Sequence, residues 1–376
     1  MNAVNVRSRG GIQSLTGIRG ITAVWVLLYH LQLISIRYLD TDIFKSVPII
    51  NCGWHGVDLF FMLSGFILMY AHHRDFQNID RSNLIRFYKL RFSRVYPLNA
   101  VVLFLIAIFA FFQPDYVAWF KAARHSEDFS TGAFVRTLFL ATKWPLAGKG
   151  DWNPPVWTLS LEVLGYAAFP LIAYTLMLAK HARKTIYVVL FCLLAEIAVM
   201  GRKHLLFTND YSNIAIVIGR MAACFITGMA IFRLKMLIGE KWEKQAPLLT
   251  ATATIVTFLF CVIPYAEAML NFSFAVLIFG VSYQRGLVNK ILASKPMLYL
   301  GEISFPLYLV HVVPLFWLAY CFISSANRWS INLTLLCLAT WIAGCILLAT
   351  LLHYLVETPA HAWGRKWAQK KKSPFR

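Results

Sequence analysis

At 376 residues the chain has room for two or three soluble domains, but 59% of it is hydrophobic, only 14% is charged, and the mean hydropathy is +0.61, which excludes an ordinary soluble protein. A formal net charge of +19 would suit nucleic acid, yet the Lys and Arg lie in short loops between apolar runs, where membrane topology alone requires them, so no nucleic-acid partner is expected. Seven cysteines, scattered mostly in apolar runs without a CxxC, argue for neither a metal site nor a disulfide framework.

Only helices and closed barrels satisfy their backbone in hydrocarbon, and no ten-residue alternation marks a barrel, so the predicted class is an all-α polytopic transmembrane bundle. Ten runs read as spans: 18–36, 53–72, 96–113, 157–178, 184–200, 212–234, 247–264, 267–284, 298–323 and 331–354. Most meet the ~20 residues that cross ~30 Å of hydrocarbon, while the third, fifth and eighth are short or closely abutted. The chain is polar through Thr16, and no small-residue cleavage site follows the first run, which is therefore read as a retained span. GAFVRTLFLAT, 132–142, is too short to span and reads as re-entrant or interfacial. The predicted organisation is one integral membrane domain, 1–360, followed by a basic tail, 361–376, disordered after Trp367.

An even number of spans puts both termini on one side. Basic residues concentrate there: Arg7 and Arg9, the loop with Arg74, Arg81, Arg86, Lys89, Arg91 and Arg94, the loops around Lys180, Lys235 and Lys290, and the end at Lys370, Lys371 and Lys372. The positive-inside rule makes that side cytoplasmic.

With topology set, height along each helix becomes chemistry. In TGIRGITAVWVLLYH, Arg19 and His30 are eleven residues apart, nearly three whole turns, so they share a face and His30 stands about 16 Å above Arg19. An ionisable residue inside a membrane is a functional-site candidate; a histidine that only hydrogen-bonds a neighbouring helix is the plainer reading. Asp58 in GVDLFFMLSGF lies ~8 Å below the outer end of its span, Glu162 in VWTLSLEVLGY lies at similar height, and His311 in SFPLYLVH rises to that level. Two histidines and two carboxylates on one layer suit general-base catalysis on a hydroxyl, a carboxylate fixing the histidine's tautomer. Structural contacts between helices would use the same residues.

At the inner surface, Arg91 and Arg94 in LRFSRVYP share a helical face and suit phosphate through bidentate charge-assisted bonds. Basic helix ends also anchor to anionic lipid. Arg19, at the same surface and directly below His30, adds to the phosphate reading. A phosphate-bearing donor would need a long thin arm to reach the histidine, as the pantetheine of acyl-CoA provides. Phe60, Phe61 and Phe66 read either as an apolar tunnel or as lipid-facing bulk. Ser64 and Gly65 read as packing residues, and Arg220 as a buried charge that pairs with Glu196, Asp58 or Glu162 or lines an acceptor path.

These motifs, in order, resemble the acyltransferase-3 family of integral membrane O-acyltransferases: Arg19-x10-His30, FFMLSGF, Arg91-x-x-Arg94 followed by Tyr96 and Pro97, VWTLSLEVLGY, SFPLYLVH, and VETP with Glu357. The resemblance covers nearly the whole chain. It implies about ten spans, acyl-CoA as donor with acetyl-CoA the commonest, a hydroxyl of an envelope or exported glycan as acceptor, and a place in the bacterial inner membrane. It also implies that His30, Arg19, Arg91 and Arg94 are essential, whereas it gives Asp58 and Glu162 no role. Some relatives add a soluble SGNH-type esterase domain; this chain ends too soon after its last predicted span for one to be expected. GxxxxGK[ST], GxSxG and HExxH are absent, so ATP-driven transport, serine hydrolysis and zinc proteolysis lack their motifs. A secondary transporter using the buried His, Asp, Glu and Arg as a proton relay is the competing class; no inverted repeat is evident to support it.

Overall fold

The structure is a computed structural model that describes residues 11–39, 44, 46–123, 126–145, 148–205, 213–263, 266–316, 318 and 331–369. All regular structure among them is helical. The longer helices are α1 (Gln13–Leu39), α2 (Gly56–His72), α3 (Arg81–Phe112), α4 (Val156–Met177), α5 (Ala182–Leu205), α6 (Ile214–Ile238), α7 (Ala246–Val262), α8 (Leu270–Val281), α9 (Lys295–Glu302), α10 (Ser304–Val310), α11 (Ile331–Leu352) and α12 (Thr358–Gln369).

Among the described residues, five helical stretches are long and apolar enough to cross a membrane: Pro48–His72 (α2 with the turns before it), α3, α4, Ile214–Trp242 (α6 extended) and Leu335–Gln369 (from α11 through α12). A sixth is formed if Lys295–Glu302 and Ser304–Phe316, bent by 51° where they meet, make one broken span. The ten predicted spans are thus met in part. α1 and α5 have 27 and 24 residues. Ala246–Val262 and Ala266–Val281 are apolar but shorter. The 132–142 stretch holds only the eight-residue helix Thr131–Leu138.

Local chemistry fixes the ends that matter for the site. Asp80 caps α3, accepting from the backbone N–H of Ser82 at 3.0 Å and from its hydroxyl. Those two donors, the hydroxyl first, hold the Asp80 carboxyl below the ordinary carboxylate range. α3 therefore starts well before the predicted third span and carries Arg91 and Arg94 within one continuous helix. Near the other end of the chain, His353–Glu357 winds as a π-helix between α11 and α12. Such turns are rare.

α2 is the hub of the bundle, packing on α1, α4, α6 and α8. Its contact with α6 is backbone to backbone. A Cβ on Gly65 would sit 2.0 Å from the Phe225 carbonyl oxygen, and one on Gly228 would sit 1.8 Å from that of Met62. No side chain other than hydrogen fits at either point, as expected for Gly65 from the sequence. α1 meets α9 in the same way, Gly20 against the Gly301 backbone and Gly301 against Thr16. α12, most of which falls in the predicted basic tail but before or just at its predicted disordered end, packs on α3. Trp363 and Trp367 stack 5.0 Å apart, Trp367 meets Phe92 at 6.1 Å, and Lys89 lies 4.9 Å from the Trp367 ring, so an apolar face rather than charge decides the position of Ala368 and Gln369. Residues 370–376, like Arg7 and Arg9, lie outside the described residues.

Candidate active site

Two helices bring three guanidiniums to one cavity of about 850 Å³. Arg19 enters from α1 and Arg91 and Arg94 from α3, the latter pair on one face as their spacing predicts, while Glu162 and Tyr166 project from α4. Arg91 lies over the rings of Phe87 (5.7 Å) and Tyr166 (5.9 Å), and its Nε is buried without a hydrogen-bond partner. Arg94 donates to Glu357 Oε1 at 2.5 Å and contacts His361 Nε2 at 3.0 Å; the other Glu357 oxygen accepts from His353 Nδ1 at 2.7 Å. The π-helical segment delivers Glu357, only 2% exposed, to this position. Arg19 makes no hydrogen bond or ion pair among the described residues. The arginine end therefore presents buried donor capacity that an anion would satisfy.

Ser64 donates to Glu162 Oε1 at 2.6 Å. This contact replaces the packing role expected of the serine and holds the carboxylate at the arginine end. Phe60 and Phe61 line the wall, whereas Phe66 is fully buried against Phe232, ring centroids 5.6 Å apart. At the far end stand Thr158 and Tyr308, their hydroxyls 2.9 Å apart.

One turn beyond Tyr308 lies His311, and next to it His30, with ring centroids 4.8 Å apart. His30 Nδ1 is 2.9 Å from the Val26 carbonyl oxygen, and His311 Nδ1 is 2.7 Å from that of Tyr308. A carbonyl can only accept, so each Nδ1 carries the proton and each neutral ring presents a lone pair on Nε2. Nε2 of His311 is buried and has no hydrogen-bond partner.

The four-group layer expected from the sequence is therefore formed only in part: the two histidines meet and the two carboxylates go elsewhere. Asp58 is fully buried and takes a bidentate bond from Arg220, Nε to Oδ1 at 2.5 Å and Nη2 to Oδ2 at 2.7 Å, with His55 Nδ1 3.1 Å from Oδ2. Of the partners weighed for Arg220, Asp58 holds it through both carboxylate oxygens. Backbone carbonyls, not carboxylates, fix the histidine tautomers. Removing one member of a buried ion pair typically costs about 3–5 kcal/mol, because the remaining charge is stranded. Asp58→Asn is thus expected to lower the thermal unfolding temperature of the detergent-solubilised protein sharply, while an Asp58→Leu, Arg220→Met double variant loses less. An unchanged melting temperature in Asp58→Asn would rule out this anchoring role.

Glu357, His361, Thr158, Tyr166 and Tyr308 join the site without having been singled out for it by spacing. Thr158 and Tyr166 lie in the VWTLSLEVLGY motif, Tyr308 in SFPLYLVH and Glu357 in VETP, whereas His361 had no sequence signal. Among the described residues no cluster of three His, Cys, Asp or Glu side chains is arranged to hold a metal ion.

The pattern of a protein family described as an acyltransferase domain matches residues 12–350, which include every residue of this cavity. The chain belongs to the acyltransferase-3 family. Among curated relatives it is similar to O-acetyltransferase OatA of Staphylococcus aureus strain MRSA252, 22% identical over 97% of this chain and 60% of that protein. It resembles OatA of strain NCTC 8325 at 22% over 80% of the chain and 50% of the relative. Acyltransferase MdmB of Streptomyces mycarofaciens is 30% identical over 43% of the chain and 38% of its own length. The chain thus spans about half to three-fifths of the OatA proteins it matches. No solved structure matches it. Family membership and the apolar helices together make this acyltransferase-3 chain an integral membrane protein.

Proposed function

We propose that this chain is a membrane O-acyltransferase that moves an acetyl group from cytoplasmic acetyl-CoA to a hydroxyl of an envelope or exported glycan. The observation that carries this reading is the line from three guanidiniums, along one cavity, to Tyr308, with the rings of His30 and His311 packed together just beyond the cavity's lining and each Nδ1 held at a backbone carbonyl. The names of the OatA relatives support acetyl as the group and oxygen as its acceptor atom; the carbohydrate acceptor and the place in a bacterial inner membrane rest on the family resemblance.

In this reading both termini and the arginine end face the cytoplasm, and α1, α5, α7 and α8 complete a bundle of about ten spans. The basic loops before α3 and after α6 support that orientation. Arg19, Arg91 and Arg94 bind the donor phosphates, a role that the orphaned Nε of Arg91 supports, since an anion would satisfy it. The phenyl-lined wall holds the thin arm, which supplies a thioester carbon near Tyr308. His30 Nε2 takes the proton from the acceptor hydroxyl as its oxygen bonds to that carbon. When the C–S bond breaks, the imidazolium returns the proton to the departing thiolate, so the ring ends neutral. His311 packs on His30 and limits its orientation; Glu162, held by Ser64, balances the arginines; Asp58 acts only through the bundle.

The test is transfer of radiolabelled acetyl from acetyl-CoA to surface polysaccharide by the full chain in proteoliposomes, with mass spectrometry of the polysaccharide from cells with and without the gene. A label on the glycan and a matching 42-Da difference per acetyl added, about the mass of C2H2O, are expected. Absence of both would overturn the reading, and proton-coupled solute uptake by the same vesicles would favour the transporter class.

A further inference from the structure

Beyond Arg91 and Arg94 the space opens into a second hollow of about 750 Å³ between α3 and α12. Its walls are two helix faces with the same register: 86, 90, 93 and 94 on α3, and 361, 365, 368 and 369 on α12. The helices almost touch at its floor, where a Cβ on Gly364 would sit 1.9 Å from Ser93 Oγ, so His361 and Arg365 face α3 at close range. Among the described residues no carboxylate lines the hollow. Arg94 has Glu357 as counter-ion, but Arg86 reaches only Asp75, at 3.5 Å and half exposed, and Arg365 makes no ion pair among the described residues. Aromatic contacts of Trp367 with Phe92 and Lys89 hold α12 in place, so the hollow is built rather than a chance of loose side chains.

We propose that this hollow binds a terminal phosphate monoester on the nucleotide end of the donor, the 3′-phosphate, and that Arg86 and Arg365 select donors that carry it. The inference rests on the acyl-CoA reading above. The two cavities share Arg91 and Arg94, so a donor whose diphosphate sits at that neck sends its arm into one cavity and its nucleotide into the other. A phosphate monoester carries about −1.5 to −2 charges at neutral pH, which two guanidiniums without strong counter-ions match better than a singly charged diester does. An anionic lipid headgroup offers the same phosphate chemistry and is the rival source.

Binding of adenosine 3′,5′-diphosphate and of adenosine 5′-diphosphate to the full chain is measured in nanodiscs of phosphatidylcholine, then with phosphatidic acid added. The 3′-phosphorylated nucleotide is expected to bind about tenfold more tightly or better, since a charged hydrogen bond contributes at least that factor. In Arg86→Ala, Arg365→Ala the gap is expected to close, both residues being exposed enough to leave folding intact. Equal binding of the two nucleotides by the unaltered protein would overturn the inference, as would a gap that phosphatidic acid abolishes. Because this readout needs no turnover, its failure is separable from failure of acetyl transfer.

Discussion

His30→Ala is expected to reduce acetyl transfer by roughly 10²- to 10⁴-fold, the usual contribution of a general base, while the protein stays folded in the membrane. His30 is half-buried, its Nδ1 is committed to the Val26 carbonyl, and its Nε2 is the lone pair that stands three turns above Arg19. No other base on α1 has that height. The Nε2 of His311 is also free, and the same substitution there is expected to have the smaller effect, because that ring is 1% exposed. Initial rates with saturating acetyl-CoA and glycan, normalised to protein in the membrane, decide the matter. Retention of more than a tenth of the rate in His30→Ala, or a larger loss in His311→Ala, would remove His30 from the role of base.

Arg91 and Arg94 carry the second large effect. A charge-assisted hydrogen bond contributes about 1.5–3 kcal/mol, so Arg→Ala at either position is expected to raise the KM for acetyl-CoA roughly ten- to hundred-fold. Arg→Lys should rescue only in part, since an ammonium keeps the charge but loses the planar fork and the stacking of Arg91 on Phe87 and Tyr166. Anchoring to lipid predicts something else, because a lysine at a helix end serves a headgroup nearly as well. Full activity with unchanged donor KM in the Arg91→Lys, Arg94→Lys double variant would sink bidentate recognition.

What the sequence made legible was height, and what it hid was azimuth. Arg19 to His30 and Arg91 to Arg94 are spacings within one helix, where 3.6 residues per turn settles which face is shared. Asp58 and Glu162 were placed at plausible heights, but whether a side chain faces the histidines depends on how each helix is rotated against its neighbours. Those rotations are set by contacts far apart in the chain: Ser64 to Glu162 across 98 residues, Arg220 to Asp58 across 162, and Arg94 to Glu357 across 263. Of the small residues at the α2–α6 contact, Gly65 was legible as a packing residue, whereas Gly228 was visible only as a glycine. The start of the basic tail shows the same limit. Trp363 and Trp367, interleaved with its charges, supply the face that docks on α3, and nothing in the local spacing names that partner.

The π-helical turn at His353–Glu357 can be seen as an α-helix with one residue inserted. One residue is about 100° of rotation at 3.6 residues per turn, so everything beyond the turn is dialled a little over a quarter revolution from where an uninterrupted helix would have aimed it. Closing the turn by a single deletion would leave α12 just as helical and just as amphipathic, but with His361 and Arg365 swung off the face that meets α3. The surplus residue works as a key cut into an otherwise featureless rod, and it orients the last helix toward the donor's charge rather than away from it.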